Sequence, residues 1–323
     1  MPFKVIKGSF HVRNYSPDGD SIRFQPDDSG LVHDLAGSRP RFNARNHVQL
    51  RIEAIDTLET HFTPPSGGGT LHQPLELAQA ASDRLLDFVG IKDVEWDATH
   101  RTVLDAQDGT RGYIMARTVE KNGRPVAFIF AGEAPEEDGA NVRLEAQRLR
   151  DSYNYTALVE GYAYPTYYKG LFHDLREELT AAVEEARKGS LGVHQADKTH
   201  EGFQASDLRS ITKQYAILPK LFRRLAEYMV NYGTAEGFQK KLAQSKEAVL
   251  DLRTANFTHF DTFVEQKGDT IRLTRRPEEL VFDETPTSPP HAFSALMGSE
   301  VTAPPRFVET ITLPEEALRD LSP

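Results

Sequence analysis

The stretch Leu50 to His61, LRIEAIDTLETH, constrains this chain more than any other. Val48, Leu50, Ile52 and Ala54 alternate with polar or charged neighbours, which is the period of a half-buried strand. Directly after apolar Ile55 the character changes, and Asp56, Thr57, Glu59 and Thr60 crowd the strand end. A strand that runs from an apolar face into neighbouring carboxylates presents them at the rim of a sheet or barrel. Carboxylates placed there can hold a hard metal ion or act as a base. A polar turn that merely closes the strand is the plainer alternative.

The chain has 323 residues, enough for two domains or one large one. Hydrophobic residues make up 39% and charged residues 27%, a balance that suits a globular fold in water. Cysteine is absent, which excludes disulfides and thiolate metal sites. Met1 to Asn14 lacks the apolar centre of a secretory signal, so cytoplasmic residence is the default expectation. No run approaches the roughly 18 apolar residues of a membrane span, and no membrane partner is expected. A formal net charge of −10 argues against nonspecific coating of polyanions, but it allows a nucleic-acid enzyme with a local positive pocket.

In chain order, Phe3 to Asn14 reads as a first strand. Asp18-Gly19 forms a turn into a strand at Ile22 to Phe24, and Asp20 either only shapes that turn or projects over a barrel mouth. Residues 25–47 read as a polar loop whose Arg39, Arg41 and Arg45 are either solvated or set against a phosphate backbone. Gly67-Gly68-Gly69 has no following Lys, which excludes a P-loop. Helical spacing covers Pro74 to Gly90, Leu144 to Gly161 and Leu171 to Gly189; strands are expected at 94–103, 112–119 and 126–130, the last entered through an Asn122-Gly123 turn. The aromatic run Tyr162 to Lys169 offers rings that stack on bases or fill core.

This order resembles a five-stranded barrel of the oligonucleotide-binding type with helices packed on one side, an α+β fold. Its motifs resemble the staphylococcal nuclease (thermonuclease) family over roughly residues 5 to 195. Asp18-Gly19-Asp20-Ser21 resembles that family's GDT turn, and Arg51 to Glu59, RIEAIDTLE, resembles its R-x4-D-T-P-E segment. Gly109-Thr110-Arg111-Gly112-Tyr113 resembles its YGRGLAY segment, and Ala157 to Gly161 with Leu191-Gly192 resembles its later ALV-x-x-G and closing segments. The resemblance implies a Ca²⁺-dependent phosphodiesterase, an endonuclease acting on DNA, RNA or both. Asp20 and Asp56 would hold the ion with the carbonyl of Thr57, and Glu59 would activate or orient the attacking water. Arg51 and Arg111 would bind the scissile phosphate, whose charge a planar guanidinium fork suits. Tyr167 would contact a base.

Some positions depart from the pattern. Leu58 replaces the family's Pro, Asp108 and Gly109 replace residues near the terminal phosphate, and His194 stands near the usual closing Trp. The division expected is a nuclease-like domain over 1–198 and a mainly helical accessory region over 199–323 that mediates oligomerisation or partner docking. In that region helices are expected over 208–232, broken at Leu218-Pro219, and over 235–249, with strands at 270–274 and 280–282. Lys220, Arg223 and Arg224 form a basic cluster, either a solvated face or a nucleic-acid contact. The Pro-rich stretches 286–292 and 302–306 suggest a poorly ordered end. The rival function is a non-catalytic nucleic-acid- or protein-binding module on the same barrel.

Overall fold

The computed structural model describes residues 2–283. The long strand Phe3–His11 pairs antiparallel with Thr110–Val119 on one side and with Arg23–Pro26 on the other. The sheet runs Val48–Gln49, Arg23–Pro26, Phe3–His11, Thr110–Val119, Pro125–Ala131, Arg51–Ile52. Its first and last strands are therefore two pieces of one chain stretch. Leu50 donates its N–H to the Ile22 carbonyl at 2.9 Å and Ile52 to that of Asp20 at 3.0 Å, so the sheet curls nearly shut as a barrel. Val5, Phe10, Phe24, Ile114 and Phe128 are buried in its core. The α+β class stands, but Ala36–Gly37 and Asn141–Val142 join the sheet and bring it to 8 strands, against five expected.

The strand expected to run on to Ile55 is bent. Ala54 takes a left-handed φ of 68°. The buried Asn154 side chain holds the bend: its amide donates to the carbonyls of Glu53 (2.7 Å) and Ala127 (3.2 Å), and its oxygen accepts from Ile129 N–H (3.0 Å). Beyond the bend, Ile55–Thr57 leaves the barrel and pairs with Ala163–Pro165, Asp56 opposite Tyr164. Arg51 thus sits on the barrel and Asp56 on the next layer, and the two ends meet at a seam.

Local chemistry explains the other differences. The helix expected over 144–161 is split into Ala146–Leu149 and Tyr153–Val159, because Ser152 caps the second by accepting from Tyr155 N–H. The span 94–103 is part of a hairpin, Lys92–Trp96 with Val103–Gln107, turned by Asp97, which accepts from the N–H groups of Thr99 and Arg101. The loop 25–47 contains a short helix, Ser29–His33, capped by Asp28.

The region after 198 is mixed, which corrects the mainly helical expectation. Pro219 opens the helix Pro219–Tyr232 at its first turn, where a missing N–H is harmless, and Gly233 at φ 73° ends it. The helix expected over 235–249 shrinks to Phe238–Leu242, and Ala248–Asp251 is a strand. Leu280–Phe282 pairs antiparallel with that strand and parallel with Tyr167–Tyr168. A second core gathers Leu58, Ala78 and Tyr164 with Leu218, Phe222, Phe260 and Phe282. Residues on both sides of 198 therefore share one sheet and one core. The Pro-rich stretches expected to be poorly ordered lie outside the described residues.

A chain ended at Lys198 uncovers the second core. Each large apolar side chain returned to water costs about 1.5–3 kcal/mol, and a domain's whole stability is roughly 5–15 kcal/mol. Calorimetry on the shortened chain is expected to show no cooperative thermal transition. A transition within a few degrees of the full chain would show that the first 198 residues fold alone.

Candidate active site

Five segments converge on a cleft of about 350 Å³ lined by Asp18, Asp20, Arg51, Asp56, Glu59, Arg124, Tyr168, Lys220, Arg223 and Arg224 among others. The Asp18–Asp20 turn reaches it because Gly19 has no side chain: a Cβ there would lie 2.6 Å from Ala81 Cβ and 2.8 Å from Thr57 Cγ2. Tyr153, fully buried, fixes the turn by donating its hydroxyl to the Gly19 carbonyl at 2.8 Å. Thr57 N–H points to Asp20 Oδ2 at 3.4 Å. Glu59 is held by its backbone, whose N–H donates to Gln73 Oε1 at 3.2 Å and whose carbonyl accepts from Gln73 N–H at 2.8 Å.

The Arg223 guanidinium sits between the carboxylates. It grips Asp56 with both arms, at 2.9 and 2.8 Å, and also contacts Glu59 Oε1. Its helix is fixed at the entrance, where Gln73 Nε2 donates to the Ile217 carbonyl at 2.7 Å. Lys220 and Arg224 of the same helix pair with Glu247, and Lys220 also donates to the Tyr168 hydroxyl at 3.0 Å. The Arg51 guanidinium lies over the Tyr168 ring, 4.3 Å from its centre.

Burial sets the electrostatics. It pushes the Glu59 carboxyl up to about 7 against the pull of Arg223, with Asp56 and Asp18 adding to the rise. Burial also lifts Asp20 well above the usual carboxylate range, reinforced by Asp18, Asp56 and Glu59. Such a crowd of hard oxygens suits a hard divalent cation: Asp20, Asp56 and the Thr57 carbonyl could hold Ca²⁺. Arg223 already stands among them as a positive charge, which is what that donor set demands.

Two expected site residues lie elsewhere. Arg111 is at the far end of its strand, opposite Ser9, and it forks onto Asp27 (2.8 and 2.8 Å) and contacts Glu133 (3.2 Å). At about 3.3 Å per residue, the strand carries Arg111 on the order of 20 Å or more from the end that lines the cleft. Tyr167 is wholly buried, with its hydroxyl 2.9 Å from Thr180 Oγ1, so it has no face to offer a base. Neighbours on a strand point to opposite sides, and Tyr168 is the ring in the cleft.

The arginine that sequence reasoning misses is Arg124, at the exit of the Asn122-Gly123 turn. The nearly buried Glu120 carboxylate holds it at 3.1 Å. A signal for it exists: Gly123-Arg124-Pro125-Val126-Ala127-Phe128 repeats the G-R-x-x-A-aromatic spacing of the YGRGLAY segment, which Arg111 does not. Arg223 carries no such signal. The chain matches no family model, and no curated protein matches it significantly. Among the described residues, no helix is long and apolar enough to cross a membrane.

Because Glu59 titrates higher in the fold than its ordinary 4.5, the folded chain holds that proton more tightly than the unfolded chain. Stability is therefore expected to fall as pH rises from about 4.5 to about 7. Glu59→Gln cannot ionise and should flatten this part of a plot of urea midpoint against pH. An equal slope in both proteins would mean that Glu59 is not the group responsible.

Proposed function

We propose that the chain is a Ca²⁺-dependent nuclease of the staphylococcal nuclease type, built on a barrel of the oligonucleotide-binding kind, that hydrolyses internal phosphodiester bonds in DNA, RNA or both. The observation that carries this is the shared cleft: Asp20, the stretch with Arg51, Asp56 and Glu59, and Arg124 come from three separate segments and line one cavity. Asp20, Asp56 and the Thr57 carbonyl would hold the cation. Bound there, Ca²⁺ would supply charge neutralisation at the phosphate and polarise water. Glu59, titrating near neutrality, is matched to accept the proton of the attacking water. Arg51 and Arg124 would take the non-bridging oxygens, where charge grows as water adds, so their contacts would strengthen in the transition state. Arg223 and the cation would compete for Asp56, since both of its oxygens are engaged by the guanidinium.

That same grip favours the second reading, a non-catalytic binding module in which Arg223 permanently neutralises the site. Digestion of single-stranded and duplex DNA and RNA, with Ca²⁺ or with chelator, separates the two. Cleavage that requires Ca²⁺ supports the nuclease; strand binding without cleavage in any arm supports the module.

Within the nuclease reading, Asp20→Ala and Asp56→Ala should abolish Ca²⁺-supported cleavage. Arg51→Ala and Arg124→Ala should each lower the single-turnover rate by roughly 10²-fold or more, as losing one oxyanion donor does. Arg111→Ala should stay within about twofold of the native rate, since a remote surface arginine adds no transition-state contact. A large loss at Arg111 with little at Arg124 would reverse the assignment of the second arginine.

A further inference from the structure

The cleft does not end at the reacting groups. Arg51, Glu120, Lys121 and Tyr168 also line a neighbouring cavity of about 230 Å³, with Ser38 and Lys169. Ser38 and Lys121 continue into a third, of about 670 Å³, lined by His33, Arg39, Pro40, Arg41 and Phe42. The three cavities are thus neighbours with common lining residues, a run of hollows, or groove, from the 39–42 loop to the carboxylates. That loop is held to the hairpin beside the site, where Arg41 N–H donates to the Gly123 carbonyl at 2.9 Å.

The groove's charge runs against that of the chain. The formal net charge is −10, and the arginines at 13, 84, 143, 148 and 150 are all taken by acids. Arg39, Arg41 and Lys121 are exposed, and among the described residues none has an acid within ion-pair distance. Of the acids on the walls of the two cavities beyond the cleft, Glu120 is nearly buried and held by Arg124, and Glu53 is half-buried; the wall's Lys169 is engaged by Asp283 at 3.6 Å. The outer cavity also has ring walls, half-buried Phe42 beside exposed His33, their centres 5.3 Å apart.

We infer that this groove is the binding track for a single-stranded polynucleotide, its backbone running over Lys121, Arg39 and Arg41 and a base resting on Phe42. Unpaired cations spaced along a groove and an aromatic wall are what a single strand needs, one for phosphates and one for base faces. A duplex stacks its bases on each other and offers no face to Phe42. The inference rests on the proposed nuclease reading, because it assigns the strand that the reacting groups would cut.

The test uses the full chain with Arg39→Ala/Arg41→Ala, neither of which lines the reacting cavity. The probes are fluorescent ten-nucleotide single strands of DNA and of RNA and a duplex of equal length, read by anisotropy in chelator across a salt series. Cleavage of a dinucleotide is measured separately with Ca²⁺. Expected are a roughly tenfold or greater loss of single-strand affinity and a drop of about 1.4 in the slope of log affinity against log salt, for two lost phosphate contacts. Dinucleotide cleavage should be unchanged. Comparable losses for DNA and RNA place recognition on backbone and base faces; loss for one alone identifies which strand the track takes. Unchanged affinity and slope, beside an active native protein, would overturn the track and leave the nuclease standing. Duplex binding as tight as single-strand binding, with the same loss, would overturn the single-strand assignment. A native protein that neither binds nor cuts any strand would overturn both.

Discussion

The fork between Arg223 and Asp56 ties the structure together. It joins residues 167 apart in sequence, one on the first strand to leave the barrel and one on the helix of the later region. Removing either charge would leave the other unpaired in a seam with little access to water, which is costly; a buried pair is sustained only when both partners are present and well aligned. Here the geometry is two-armed and near ideal, and Glu59 adds a further contact. The backbone supports it from both sides. Gln73 binds the Glu59 loop with one end of its amide and the Ile217 carbonyl with the other, so one side chain ties the acidic loop to the start of the Arg223 helix. The region after 198 is therefore a wall of the site.

What is legible in the sequence follows local rules. Alternation up to Ile52, then Asp56 and Glu59 within a few residues, marks a carboxylate rim where one exists, and Asp18-Gly19-Asp20 comes to it through a glycine that contact with Thr57 requires. The misplacements have physical causes. One guanidinium on a strand resembles another until the strand's length and direction are known, so Arg111 passes for the site arginine although Arg124 stands at the end that meets the cleft. Tyr167 and Tyr168 differ by one residue, and in a strand one residue decides between core and groove. The bend at Ala54 is hidden because nothing local demands a left-handed alanine; Asn154, a hundred residues later, holds it. Arg223 shows in the sequence only as part of a basic helical cluster, since its partner set is assembled by tertiary contact alone.

The seam also explains how opposite charges coexist in so small a volume. Most of its cations have a counter-charge or ring: Arg124 has Glu120, Arg224 and Lys220 have Glu247, and Arg51 lies over the face of Tyr168. Of the carboxylates Asp18, Asp20, Asp56 and Glu59, the fork of Arg223 reaches Asp56 and Glu59, and burial, reinforced by the neighbouring acids, pushes Asp20 and Glu59 upward. The acidic half is short of positive charge, and most of the basic half is already paired. In the nuclease reading, the cation would go to the carboxylates before any phosphate arrives.

If a cation takes Asp56 as the nuclease reading requires, the displaced guanidinium must find an anion nearby or return. The substrate's phosphate is such an anion, and it would arrive at the cleft as the fork of Arg223 is set loose. Cation and substrate would then each favour the other's binding by the same factor, because the coupling between two ligands on one protein is reciprocal. In the absence of both, Arg223 closes the site on itself and keeps like charges from meeting across the seam. The linkage needs no large movement, only the exchange of one partner at one guanidinium. The Gln73 bond to the Ile217 carbonyl, which anchors the start of the helix, would favour an exchange made by the side chain alone.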